Sequence, residues 1–184
     1  MMPSGLYLLG SQAAGVSNLM TLNWAIQVST DPKLVAVSVE VGALTHRLID
    51  EGGVFALSLL ERADRSVVRR FVKPATPGPQ EGQLNGFAVR SATTGAPILA
   101  QASAWLDCEV TARQPCGSHT LFIGQVVDAG ISARTNDEAG TNDEASTNDS
   151  ASPATQSGPA AQDGNGVGET GILRMEDTRM SYGG

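Results

Sequence analysis

Between Thr135 and Thr170 the chain carries almost nothing from which a core could be built. Val167 is the one apolar side chain there larger than Ala, and no aromatic residue occurs. The charges have a single sign: Asp137, Glu138, Asp143, Glu144, Asp149, Asp163 and Glu169, with no Lys or Arg. The segment opens on a hexad written three times: Thr135-Asn136-Asp137-Glu138-Ala139-Gly140, Thr141-Asn142-Asp143-Glu144-Ala145-Ser146, Thr147-Asn148-Asp149-Ser150-Ala151-Ser152. Six residues are too few for a helical solenoid unit, and the hexads lack the apolar side chains that a β-helix stacks inward. Carboxylates at this density raise calcium binding, but the EF-hand spacing and its closing bidentate Glu are missing. A segment without apolar surface to bury cannot offset the entropy of ordering itself. The expectation is a solvated, disordered, low-complexity insert over 135–170, in a loop whose lengthening costs little. The folded part is then 1–134 plus 171–184, where Ile172-Leu173-Arg174-Met175 and Met180-Ser181-Tyr182 restore apolar character and bring the chain back to the same core.

The insert also explains the charge. Of 19 acidic residues in 184, seven lie in it, and the remaining twelve match the 12 Lys and Arg, so the net −7 belongs to the insert and the folded part is neutral. No basic patch marks a general nucleic-acid binder. No apolar run is long enough to span a bilayer. Met1–Gly10 has no basic residue before its short apolar stretch, unlike a signal peptide, and two Cys make no disulfide framework. These features point to a cytoplasmic protein with no nucleic-acid or membrane partner.

The folded part reads as strands with two short helices. Gly5–Leu9 is a short strand. Leu19–Ser29 partly alternates, with Leu22, Trp24, Ile26 and Val28 on one face, as in a half-buried strand. After the Asp31-Pro32 turn, Leu34–Glu40 is nearly continuous in apolar residues, as in a strand covered on both faces. Thr45–Gly53 is a short helix with Thr45 as N-cap and glycines as the stop. Val54–Leu60 is a strand. In Asp64–Val72, Val67, Val68, Phe71 and Val72 share a helical face, and Pro74 ends it. Pro74–Leu84 is a Pro/Gly loop, and Phe87–Arg90, Ile98–Val110 and Thr120–Val127 are further strands. This pattern predicts a mainly β barrel with helices plugging its ends, which removes the edges of hydrophobic strands.

Specific stretches then carry a resemblance. They are Gly5-Leu6-Tyr7, Met20-Thr21-Leu22-Asn23-Trp24-Ala25-Ile26-Gln27-Val28-Ser29, Asp31-Pro32-Lys33-Leu34-Val35-Ala36-Val37-Ser38-Val39, Thr45-His46-Arg47-Leu48-Ile49 and Gly53–Leu60. Gly95–Leu99, Trp105-Leu106-Asp107-Cys108, Gly117–Gly124 and the tail Thr178–Gly184 continue it. In order and spacing these segments resemble the flavin reductase-like family, whose members are FMN-binding split β-barrels. The resemblance covers nearly all of the folded part and leaves out the repeats. It implies a mainly β, Greek-key split barrel with short flanking helices.

The resemblance also implies a site. It puts FMN along Met20, Thr21, Leu22, Asn23 and Trp24, with Ser38 and Val39 on the next strand. A strand edge suits a flat ring rimmed by carbonyls and nitrogens, and the protein's task is to position and tune a flavin that carries the redox chemistry. Thr45, at a helix N-terminus that favours anions, is the phosphate candidate. Many relatives carry a basic residue and a Ser in that turn, where this chain has Val41, Gly42 and Leu44, so the counter-charge must come from elsewhere, such as Arg69 and Arg70. His119 matches a family histidine near the flavin and nicotinamide, where it orients substrate; the plain alternative is a turn residue capping a strand. Tyr182 either covers the flavin or is a core aromatic. His46 reads as a helix-start residue and Cys108 as a buried hydrophobe, and the Cys and His form no zinc set. GxGxxG, P-loop and nucleophile-elbow patterns are missing, so NAD(P)H would bind in the open flavin cleft.

The implied activity is an NAD(P)H-dependent flavin reductase. Hydride passes to flavin N5, and reduced flavin leaves for a partner monooxygenase. A homodimer with FMN near the subunit boundary is expected by the same resemblance. Two rivals remain at this stage: an FMN electron carrier without reductase activity, and a split-barrel module for another planar cofactor such as haem or a deazaflavin.

Overall fold

The computed structural model describes residues 4–132, 171 and 173–178, and the repeats lie outside these residues. Seven strands form one antiparallel sheet: β1 (Tyr7–Ala13), β2 (Val16–Leu22), β3 (Ala25–Thr30), β4 (Lys33–Glu40), β5 (Val54–Leu59), β9 (Ala104–Cys116) and β10 (His119–Ile131). Between them come helix α1 (Leu44–Gly52), the one-turn helix α2 (Arg65–Val68), and a small sheet of β6 (Gln83–Leu84), β7 (Phe87–Arg90) and β8 (Ile98–Leu99).

The strand order in the large sheet is β2-β1-β5-β9-β10-β4-β3. Its two edge strands are therefore consecutive in the chain, joined only by Asn23 and Trp24. Two linking residues hold the end of β2 within roughly 10 Å of the start of β3. The sheet must curl until its edges meet there, with no ladder between them. That is a barrel split along one seam, and Asn23-Trp24 is the point where the seam is closed.

Alternation of side chains fills the curl. Leu9, Leu22, Val35, Val37, Val39, Phe55, Leu57, Cys108 and Phe122 pack inside, and Ile49 of α1 joins them. Gly124 allows the close approach, since a Cβ there would lie 2.5 Å from the Phe55 ring. A second core forms outside the sheet, where Leu8 and Leu19 meet Val67, Val68, Phe71, Leu84 and Leu99. Leu173 belongs to this core: its N–H donates to Leu60 O and its carbonyl accepts Leu6 N–H. The returning tail is fastened by Arg62 Nε to Asp177 Oδ2 at 3.2 Å.

Four local expectations are corrected. The Leu19–Ser29 strand is two strands, and of its supposed buried face only Leu22 is interior, while Trp24 in the linker and Ile26 and Val28 on the edge strand β3 are exposed. Ala43, not Thr45, is the N-cap of α1. Asp64–Val72 is α2 between two 3₁₀ turns, Arg62–Asp64 and Arg69–Phe71; the tighter winding carries Val72 off the apolar face into solvent. Ile98–Val110 is not one bulged strand but β8 and β9.

Candidate functional site

The seam brings three elements together. Trp24 O accepts the Ser38 N–H at 3.0 Å, extending the β3–β4 ladder one step into the linker. On the other side of β4, His119 opens β10 opposite Glu40, and Leu121 pairs with Ser38. The Trp24 indole, 46% exposed, lies 5.0 Å from the His119 ring between centroids, tilted by 53°. Ser118 Oγ sits 2.9 Å from His119 Nδ1 and orients that ring. Trp24, Ser38 and His119 are thus brought to one mouth.

Asn23, the other linker residue, is anomalous. It is 2% exposed, and its Oδ1 has no hydrogen-bond partner, the sole buried side-chain polar atom so placed among the described residues. Buried polar groups are nearly always paired, so an orphan marks strain or a missing ligand.

The other expected residues divide. Leu22 and Val39 belong to the barrel core and Met20 packs against it, so they form walls behind the mouth. Thr21 Oγ1 donates to Val68 O at 2.5 Å, which commits its hydroxyl to the α2 segment. Thr45 is fully buried, and its Oγ1 accepts from Asn18 Nδ2 at 2.7 Å. That hydroxyl is engaged with Asn18 inside the protein. Tyr182 lies outside the described residues. His46 packs edge-on to Phe122 with Nε2 2.8 Å from Thr120 Oγ1, a bracing role at the start of α1. Arg69 and Arg70 are exposed, and Arg69 Nη2 donates to Thr178 O at 2.6 Å.

Cys108 is fully buried, and its thiol is pushed up to about 12, first by burial and then by the neighbouring Asp107 carboxylate. It is an inert hydrophobe at neutral pH. Cys116 is exposed near the tip of the β9–β10 hairpin. Beside the seam an apolar groove of about 790 Å³ runs past Tyr7, Ile26, Leu34, Leu59, Leu106 and Val127. Alternation alone did not reveal it, because it arises only when β3 is curled back towards β1.

This chain belongs to the flavin reductase like domain family, whose model matches residues 1–146. Its structural neighbours share the split barrel. The styrene monooxygenase flavin reductase of Pseudomonas putida S12 is 32% identical, with a TM-score of 0.61 over 72% of this chain and 82% of that one. The NADH:FAD oxidoreductase SgcE6 of Streptomyces globisporus C-1027 is 28% identical, with a TM-score of 0.63 over 71% and 76%. Diflavin flavoprotein A 1 of Synechocystis sp. is 30% identical over 129 residues, which is 70% of this chain and 22% of that protein. The chain thus spans about a fifth of the length of such curated relatives. No helix among the described residues is long and apolar enough to cross a membrane.

Proposed function

We propose that the protein binds FMN at the Asn23-Trp24 seam and reduces it with NAD(P)H, handing reduced flavin to a partner monooxygenase. The unpartnered Asn23 Oδ1 carries this reading. An isoalloxazine rim offers an N–H that such an acceptor needs, and the exposed Trp24 indole beside it offers an aromatic face. The bound flavin would supply the hydride acceptor, N5. The chain's own part is placement. When the Ser118 hydroxyl donates to Nδ1, His119 carries its proton on Nε2, where it can donate to a nicotinamide carboxamide. That contact orients the donor and moves no proton in the transfer itself.

Neighbours that are flavin reductases, and one that is an NADH:FAD oxidoreductase, support the reductase reading. The diflavin relatives favour a second one, in which FMN stays bound and relays electrons. Stopped-flow mixing of the FMN-loaded protein with NADH or NADPH separates them. Bleaching of the flavin band within seconds is the expected result; a flavin that stays oxidised with both donors refutes the reductase reading. A protein that takes up no FMN refutes both. The uncovered Trp24, Ile26, Val28 and Val127 fit a homodimer formed over β3 and β10. Light scattering at twice the 19.0 kDa chain mass is expected.

A further inference from the structure

The turn before α1 holds no cation: it reads Val41-Gly42-Ala43-Leu44. A groove of about 560 Å³ elsewhere holds three. Arg69, Arg70 and Lys73 line it together with Thr76, Asn85 and Gly86, and no Asp or Glu does. Among the described residues no carboxylate lies within ion-pair distance of Arg70 or Lys73. Arg69 turns its guanidinium to Thr178 O and shares a neighbouring groove with Asp177, so the cations left to this groove are Arg70 and Lys73.

This groove is braced and not a loose loop. Asn85 Nδ2 donates to Arg70 O at 2.7 Å, and Asn85 Oδ1 accepts from Thr76 N at 3.0 Å and Thr76 Oγ1 at 3.1 Å. Asn85 and Gly86 have φ of 50° and 82°, the left-handed pair that closes a tight hairpin between β6 and β7. The segment that carries the groove's cations is tied to β2. It is bolted at both ends, by Thr21 Oγ1 to Val68 O and by Ala75 N to Asn18 Oδ1 at 2.7 Å. Because β2 is an edge strand, residues 69–74 wrap past the free edge of the strand proposed to hold the flavin.

We infer that this groove is a phosphate-monoester subsite that takes over the work of the missing turn cation. The inference rests on the flavin reading above. A guanidinium fork matches phosphate oxygens, and the cations of Arg70 and Lys73 in one concavity free of carboxylates focus their field on a dianion. Two ligands of the proposed reaction carry such a group: the 5′-phosphate of FMN and the 2′-phosphate of NADPH.

The test compares each with its counterpart lacking that phosphate, using the full chain, wild type and an Arg70→Ala/Lys73→Ala variant. Flavin fluorescence titration gives Kd for FMN and for riboflavin; steady-state rates give KM for NADPH and NADH. Both side chains are exposed, so an unchanged melting temperature is expected. If the flavin phosphate sits here, FMN weakens roughly tenfold or more while riboflavin does not change, and added salt reproduces the loss in wild type. If the nicotinamide phosphate does, the FMN-to-riboflavin ratio holds and the NADPH preference falls by a similar factor. Either result supports the subsite and names its occupant. Both ratios unchanged in the variant, with FMN still bound, overturns the subsite and leaves the flavin reading standing. Wild-type protein that binds neither flavin overturns the flavin reading and the subsite with it.

Discussion

Replacing Asn23 with Leu should move stability and flavin affinity in opposite directions. The side chain is 2% exposed and Oδ1 is unpartnered, so the flavin-free protein keeps a desolvated acceptor at a cost of about 1–3 kcal/mol. Leu has nearly the same shape and no polar atom. Removing the penalty should stabilise the flavin-free protein by about 1 kcal/mol, a rise in Tm of about 2–4 °C for a chain of this size. The flavin-loaded protein should lose what the acceptor supplies. One hydrogen bond lost from a buried ring edge is about 1–2 kcal/mol, or roughly five- to thirtyfold in Kd. Thermal melts of the flavin-free protein and fluorescence titration with FMN read the two effects separately. Such opposition is expected of a group kept for a ligand at the expense of the fold. A variant that melts several degrees lower while binding FMN as wild type does would show that Asn23 serves the fold alone, and the seam would lose its claim to the flavin.

The remaining predictions test neighbouring parts of the same structure. His119→Ala should slow flavin reduction by roughly tenfold in stopped flow with FMN affinity unchanged, since its ring stands beside Trp24 at the mouth; an unchanged rate would leave it as a strand-capping residue. Thr45→Val removes the acceptor of Asn18 Nδ2 and should destabilise by about 1–3 kcal/mol in urea unfolding, without altering the FMN-to-riboflavin ratio. Cys108 should make stability fall in alkali. Its thiol is raised from 9.0 to about 12, so above pH 9 the unfolded chain releases a proton that the folded one keeps, and stability declines as pH rises towards 12. The slope is about 1.4 kcal/mol per pH unit, and Cys108→Ala should flatten that part of the unfolding curve.

Part of the barrel was legible because a strand covered on both faces shows as a nearly continuous apolar run. In Leu34–Glu40, Val35, Val37 and Val39 enter the barrel core and Ala36 between them is buried too. Leu22, Trp24, Ile26 and Val28 also share a period, yet the chain crosses from one sheet edge to the other between the first two, which inverts what their periodicity means. Local pattern cannot report such a crossing, because it depends on how five other strands close the curl. The α2 region failed for another reason: one helical turn between two 3₁₀ turns has no constant period. The β6–β7 hairpin did have a signal, Asn85-Gly86 between Leu84 and Phe87, the pair most suited to φ above zero at both turn positions. The site residues implied by the resemblance differ in what they contact. Trp24, Ser38 and His119 do meet, whereas the hydroxyls of Thr21 and Thr45 have partners in Val68 and Asn18 that no spacing rule would supply.

The two seam edges are treated differently, and that difference ties the proposals together. An exposed strand edge invites pairing with another chain. The β2 edge is covered by the strap of residues 69–75, fastened at Thr21 and Asn18. The β3 edge has no such cover, and it shows Trp24 at 46%, Ile26 at 65% and Val28 at 48% exposure. A lone apolar side chain at a surface needs no explanation, but Trp24 in the linker and Ile26 and Val28 on β3 are three exposed within five residues. The strap over β2 carries Arg70 and Lys73, while the β3 side is apolar. The proposed ligand, with a planar ring and an anionic tail, would use that asymmetry by setting its ring towards Trp24 and its phosphate towards Arg70 and Lys73. Whatever part of this apolar side the ring leaves bare is then available to a second copy of the chain. Ligand and dimer would draw on the same strand, so FMN should tighten the dimer, and sedimentation at falling protein concentration should show dissociation at higher concentration without FMN than with it. Equal dissociation in both conditions would separate the two surfaces and confine the ligand to the seam.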